Sequence, residues 1–365
     1  MKAPNNKYLI FAILIAAFAG FYRMRTVTLL PPDFDELVYL PAAFHYQEMI
    51  ANSKWKEIIN YQENMEHPPL NKLLFAIDLG IINPKEPNWD NLNVGKSIPP
   101  EDHPAFFGPR RISAIGGTFQ VLITALIHPI AGILMALNTY HTKYTAQVYL
   151  EGIPGLMAVL AVFLFELGET RWRLLFPSAV ALGLAAAGKY LYGFVGFVLL
   201  AFLIRRTRSL KSSLLYSGVA IAAFLLADPF LWPNPAGRLW DSLTFHWRFA
   251  HSEHVVSAGL PWYAPFYYLL HAEPTKWHRD VFITGSADIL ILPLSFFGIR
   301  RAIHERPIWV AWAAFGLIFL TLWPTKWPQY ILFVLPPLAV CAGIGVEQIV
   351  NFIWKKFRKR ITNHA

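Results

Sequence analysis

The sequence predicts an all-α polytopic membrane protein, and three observations carry that reading. Hydrophobic residues make up 55% of the chain and charged residues 15%, with 28 Phe, 15 Tyr and 13 Trp, which lies outside the range of a soluble domain. The apolar residues gather into about ten segments of membrane-helix character. The basic residues fall in clusters between those segments, and the clusters segregate to one side when the chain is threaded through a bilayer.

The formal net charge of +9 belongs to this topology rather than to a nucleic-acid partner, because the basic residues sit between apolar segments. The single cysteine, Cys341, excludes an intramolecular disulfide framework and a multi-cysteine metal site. Its apolar surroundings predict a buried, inert thiol.

The first segment, residues 8–30, would be about 34 Å long as one helix, enough to cross a bilayer. It has no small-residue cleavage site and continues through Arg23-Met24-Arg25, so it reads as a retained first span rather than a cleaved signal. Residues 31–109 form a first outer loop with two amphipathic helices lying in the headgroup plane. In the first of these, Leu37, Leu40 and Phe44 recur at helical spacing, while Asp35 and Tyr39 share another face four residues apart. The second covers residues 68–82, where two prolines suit a helix N-terminus ahead of Leu-Asn-Lys-Leu-Leu-Phe-Ala-Ile.

Spans 2–7 occupy residues 110–227, as segments 110–127, 130–144, 151–169, 174–188, 191–204 and 212–227. A second outer loop covers 228–283. Spans 8–10 follow within 284–351, as segments 284–299, 307–323 and 328–351, and residues 352–365 form a basic cytoplasmic tail. Several segments are shorter than the roughly 20 residues a straight span prefers, which implies tilted or broken helices. No internal repeat or low-complexity tract is visible, so residues 1–365 read as a single membrane domain.

With the N-terminus in the cytoplasm, Arg171 and Arg173, then Arg205, Arg206, Arg208 and Lys211, then Arg300, Arg301 and Arg306, and finally the basic run at 355–360 all lie inside. Both large loops then lie outside. So do six cations that oppose the bias: Arg23, Arg25, Arg110, Arg111, Lys189 and Lys326. Arg23 and Arg25 can be read as interfacial anchors.

The chemistry concentrates in two acidic motifs of the first outer loop, Asp33-Phe34-Asp35-Glu36-Leu37-Val38-Tyr39 and Glu66-His67-Pro68-Pro69-Leu70-Asn71-Lys72. Charges beside a bilayer are expensive and rarely kept for packing alone. The plain alternatives are a helix N-cap for Asp33 or Asp35 and a solvated charge for Glu66.

These motifs, with Arg110-Arg111-Ile-Ser-Ala, Ala-Gly-Lys189-Tyr and Trp-Pro-Thr-Lys326-Trp-Pro-Gln-Tyr ahead of Leu-Pro-Pro-Leu-Ala, resemble the GT-C glycosyltransferases that use polyprenyl-phosphate sugars. Protein O-mannosyltransferases and aminoarabinose transferases belong to that superfamily, and the likeness extends over roughly residues 8–350. It implies the GT-C fold and inverting transfer of one sugar from a polyprenyl- or dolichyl-phosphate carrier to an extracytoplasmic hydroxyl of a protein, glycan or lipid.

The resemblance also implies roles. Asp35, first of its Asp-Glu pair, is the general base, with Glu36 beside it as the second catalytic candidate and Glu66 shaping the site. Arg110 and Lys326 meet the phosphate, with Lys189 third, and Tyr39, His67, Arg111 and His246 complete the substrate contacts. His67 stands where the aminoarabinose branch carries Lys and the protein-mannosyl branch carries His, so the motif leans toward protein or glycan hydroxyls. A single phosphate can be met by side-chain cations, so no metal or other cofactor is required.

In the second outer loop, the segments 228–233 and 242–247 resemble the family's sugar-side loop. His246, His251, Glu253 and His254 lack metal-site spacing. Trp232, Trp247 and Trp262 suit sugar stacking and interfacial anchoring equally. A transporter or lipid flippase is the rival class. It predicts charges deep within spans and inverted repeats, whereas these charges cluster at one face and no repeat occurs.

Overall fold

The computed structural model describes residues 6–168, 171–273, 281–282 and 286–362, and among them all regular structure is helical. Helix α1, Asn6–Leu29, ends where Pro31 and Pro32 cannot continue it. The segment after it forms α2 (Glu36–Ala51), α3 (Trp55–Asn60) and α4 (Leu70–Ile82). α2 and α4 pack together, burying Leu40, Phe44, Phe75 and Leu79 in one cluster.

α5 (His103–Ile127) starts seven residues before the expected span, because His103-Pro104 supplies a helix start. Arg110 therefore lies within a helix rather than at its mouth. The segment expected as one span at 130–144 is a broken one. It divides into α6 (Pro129–Leu137) and α7 (Thr139–Tyr144) at Asn138. The Asn138 side chain accepts from His141 N at 2.7 Å and donates to Asp288 Oδ1 at 2.6 Å, so it caps α7 instead of extending α6. α6 has 9 residues, too few to cross a bilayer.

Then come α8 (Gly152–Leu167), α9 (Leu175–Gly188), α10 (Tyr190–Gly193), α11 (Val195–Thr207) and α12 (Leu210–Ala227). Residues 228–273 hold α13 (Pro235–Ala250), α14 (Glu253–Ala258) and α15 (Ala264–Leu270). The end of the expected second outer loop, at 274–280 and 283, and the expected start of the next span at 284–285 lie outside the described residues. α16 (Asp288–Glu305), α17 (Pro307–Leu322) and, after a 3₁₀ stretch at Pro328–Phe333, α18 (Leu335–Thr362) close the bundle.

Four stretches among the described residues are long and apolar enough to cross a membrane: Tyr8–Leu29, Tyr190–Thr207, Leu210–Ala227 and Leu335–Lys356. Gly152–Leu167, Trp172–Gly188 and Pro307–Leu322 are shorter apolar helices. Phe11, Phe21, Leu214, Leu226, Phe296 and Leu322 point outward from the bundle, as in a lipid-facing belt. Small residues bring the inner helices together. A Cβ on Gly298 of α16 would stand 2.0 Å from the Cys341 carbonyl of α18, so only glycine admits this approach. Cys341 itself is buried there.

The basic connections meet at one end of the bundle. Arg206 donates to the Gly168 carbonyl at 3.1 Å, Arg306 pairs with Glu166 at 3.2 Å, and Arg301 pairs with Glu347 at 3.3 Å. The outer-loop motifs meet at the opposite end.

Candidate active site

The start of α2 is fixed from below. Arg110, 1% exposed, donates through Nε to Glu36 Oε1 at 2.7 Å and through Nη2 to Glu36 Oε2 at 2.6 Å. Its remaining donors reach the carbonyls of Val27 (2.9 Å), Leu30 (2.8 Å) and Pro31 (3.0 Å). These include the orphan carbonyls that end α1. All five guanidinium N–H groups are thereby used. Glu36 also accepts from Val148 N at 2.8 Å and Asp33 N at 3.1 Å.

Two expectations are corrected by this geometry. Arg110 has no donor left for a phosphate, and Glu36 is closed off from solvent beneath the cleft rather than in it. Together they lock the loop that carries Asp33 and Asp35. Arg111 also departs from expectation: it lies over the Phe107 ring and 3.7 Å from Asp78, away from the cleft.

Above this lock lies a cleft of about 500 Å³ whose lining includes Asp33, Asp35, Tyr39, Glu66, His67, Lys143, Lys189, His246, Glu273 and Tyr330. Asp35 is the residue before α2 and makes no side-chain cap, so its carboxylate is not spent on the helix end. Its Oδ2 accepts from Gln329 Nε2 at 3.4 Å. Burial pushes its pKa up to about 7; Lys189 opposes the rise, while Glu151 and Asp33 add to it. Asp33 behaves oppositely. Burial would raise it, but Lys143 at 2.9 Å and the Phe34 N–H outweigh burial and hold it below the ordinary carboxylate range.

Lys189 enters the cleft because the chain is extended between α9 and α10, with Lys189 at φ −162°. It is paired with Glu151, and its Nζ stands 5.1 Å from the centre of the Tyr330 ring. His67 packs edge-on to Tyr39 at 5.8 Å and tilted against His246 at 5.2 Å. Burial, reinforced by His246, Lys189 and Lys72, holds His67 well below its usual pKa, so it is neutral. His246 Nε2–H donates to the Glu66 carbonyl at 2.7 Å, tying α13 to the second acidic motif. From the other side, Lys72 Nζ donates to the carbonyls of Asn64 at 2.8 Å and His67 at 3.1 Å.

Against the cleft lies a second, apolar arm lined by Leu191, Phe194, Leu243, Phe319 and Trp323. His67, Lys189, His246 and Tyr330 line both arms. Lys326 stands outside both linings, buried, and donates to the Trp323 carbonyl. Trp232, Trp247 and Trp262 are exposed and line neither arm. Among the described residues no three His, Cys, Asp or Glu side chains converge on a metal position.

The structure thus brings Asp35, Tyr39, Glu66, His67, Lys189 and His246 together and leaves Glu36, Arg110, Arg111 and Lys326 outside the cleft. Sequence reasoning missed Lys143, Glu151, Glu273 and Gln329. Lys143 was legible: an ionisable residue in the polar run Thr-Tyr-His-Thr-Lys-Tyr of a nominal span is itself a site signal.

By its match to solved structures, the bundle has the GT-C fold. Solved structures that share it include ArnT from Cupriavidus metallidurans bound to undecaprenyl phosphate (TM-score 0.63, 16% identity, 96% of this chain and 62% of that one) and the same protein in its apo state (TM-score 0.62, 15% identity, 96% and 62%). The S. cerevisiae protein O-mannosyltransferase Pmt1-Pmt2 complex bound to the sugar donor matches over 63% of this chain and 34% of that one, at 22% identity and TM-score 0.43. The chain therefore spans 62% of the length of ArnT, and at such identities the likeness is one of fold. By sequence, no family model and no curated protein matches.

Proposed function

We propose that the protein is a membrane glycosyltransferase that moves one sugar from a polyprenyl-phosphate carrier to an acceptor hydroxyl, with inversion. The observation that carries this reading is the two-armed cleft, which sets Lys189 at the junction of an apolar arm and a polar arm holding Asp35. A lipid chain belongs in the first arm, its phosphate at the cation, and the sugar beside the carboxylate. The undecaprenyl phosphate held by the ArnT structure supports a donor of this class.

In the reaction, the acceptor oxygen attacks the anomeric carbon as Asp35 takes its proton. The bond from that carbon to the phosphate oxygen breaks, and the carrier phosphate leaves with the electron pair toward Lys189. Gln329 orients Asp35, while neutral His67 and His246 shape the wall without adding charge. Tyr39 and Glu66 offer hydrogen bonds to the sugar. Lys326, whose Nζ donates to the carbonyl of Trp323 in the apolar arm, is the candidate second phosphate contact. Protein, glycan or lipid hydroxyls are the acceptor classes, and side-chain cations meet the phosphate without a metal. Placement of the site outside the cytoplasm is supported by the basic connections at the opposite end.

The test uses the full chain in nanodiscs with undecaprenyl-phosphate-linked mannose, glucose and aminoarabinose as donors. Release of undecaprenyl phosphate that depends on added acceptor is the expected result. No release from any donor, with donor moved between leaflets instead, would overturn the reading in favour of a flippase.

A further inference from the structure

Asp33, Lys143 and Glu273 come from three separate segments and meet at one side of the polar arm. Lys143 Nζ lies 2.9 Å from Asp33 Oδ2 and 2.7 Å from Glu273 Oε1. All three are more than nine-tenths buried, yet all three line the cleft. Glu273 is pinned twice, since its backbone N–H also donates to Thr139 Oγ1 at 2.7 Å. Thr139 N and Asn138 Nδ2 are in turn held by Asp288 Oδ1, at 3.0 and 2.6 Å. The group is therefore preorganised.

Packing does not account for this assembly. Two carboxylates around one ammonium leave a net charge of −1, and burying that costs more than apolar side chains of similar volume would. Among the described residues, Glu273 Oε2 has no hydrogen-bond partner although it is buried. A buried acceptor without a partner in a cleft points to a donor supplied by a ligand. The neighbouring wall is aromatic: the Tyr144 ring lies 4.8 Å from Lys143 Nζ, Tyr149 packs edge-on to Tyr144 at 4.8 Å, and Trp327 also lines the arm.

We infer that Asp33, Lys143 and Glu273 form the acceptor subsite and that the acceptor is a saccharide. The carboxylates receive hydrogens from adjacent hydroxyls, Lys143 donates to a sugar oxygen, and an aromatic ring covers the C–H face. A phosphate is disfavoured by the net negative charge. A serine or threonine offers one hydroxyl where a saccharide offers several. The placement rests on the reading above, in which Lys189 marks the phosphate end and Asp35 lies between it and the acceptor.

Titration of the full chain in nanodiscs, followed by tryptophan fluorescence, tests this. The probes are methyl mannoside, methyl glucoside and cellobiose, a Ser/Thr-rich peptide, ethanolamine and, separately, undecaprenyl phosphate. At least one glycoside should bind the wild type, and Glu273→Gln and Asp33→Asn should each weaken it by roughly tenfold or more. Undecaprenyl phosphate should bind both variants as it binds the wild type, which also reports that they are folded. The inference is overturned if no glycoside binds, if both variants bind glycosides normally, or if only the peptide or only ethanolamine depends on Glu273. Loss of undecaprenyl phosphate binding in the wild type, with glycoside binding intact and dependent on Glu273, overturns the donor reading and leaves the subsite standing.

Discussion

Arg110 and Glu36 form a buried, doubly hydrogen-bonded ion pair at 2.7 and 2.6 Å, which fixes the start of α2 to the end of α1 and to α5. Removing the arginine would leave Glu36 buried and unpaired and would free three carbonyls. Arg110→Ala should therefore destabilise by about 3–5 kcal/mol. Thermal unfolding in detergent checks it: the single variant should melt well below the wild type, and Arg110→Met with Glu36→Leu should recover much of the loss. An Arg110→Ala variant that melts normally but fails to bind undecaprenyl phosphate would restore its role as a phosphate contact.

Lys189 is the cation left at the junction of the two arms. Lys189→Met should weaken undecaprenyl phosphate binding by roughly ten- to a hundredfold, as expected for a charge-assisted contact. Combining it with Glu151→Gln separates charge lost from the site from a carboxylate left unpaired. Lys326→Ala should cost less alone and be non-additive with Lys189→Met if both touch one phosphate. Turnover should persist in a chelator; full inactivation rescued by Mn²⁺ or Mg²⁺ would move the carboxylates to metal ligation.

Asp35 gives a pH signature. Burial pushes its pKa up to about 7, so the acid limb of the rate profile should have its midpoint near 7, rising as the base deprotonates and levelling above it. The same shift acts oppositely on stability. The native state holds this proton more tightly than the unfolded chain, so stability falls as pH rises from the ordinary value of 3.8 through about 7. Asp35→Asn should flatten that slope in melts recorded between pH 5 and 8. An unchanged slope would show that the carboxylate is not desolvated.

Much of the fold was legible because a long apolar run in a bilayer must satisfy its backbone internally, and a helix does so within one segment. Segments 8–30, 174–188, 212–227 and 307–323 each hold a helix close to the expected bounds. Segment 130–144 was less legible because the apolar run Ile130–Leu137 masked the polar run after it, where Asn138 caps a new helix. At the site, proximity in sequence misled: Glu36 adjoins Asp35, but one helical step turns it inward to Arg110. Lys189 was legible because a cation between two short apolar segments opposes the charge bias. Glu273 carried no signal, since its partners Lys143 and Thr139 lie more than a hundred residues earlier.

Topology has its own check, motivated by basic connections gathered at one end of the bundle. Cysteines introduced at Asp90 and Trp262 should react with an impermeant reagent from outside intact cells, and one at Arg208 should react only after permeabilisation. Labelling of position 90 from the cytoplasmic side alone would put the cleft on the wrong face for an extracytoplasmic acceptor.

The identity of the base is the central claim, and Asp35→Asn tests it most directly. The change keeps size and most hydrogen bonding while removing the proton acceptor. Single-turnover transfer from a bound undecaprenyl-phosphate sugar should slow by about 10²–10⁴-fold, with donor affinity retained. Near-normal transfer by Asp35→Asn, with Glu66→Gln inactive, would contradict the account and place the base on the second acidic motif.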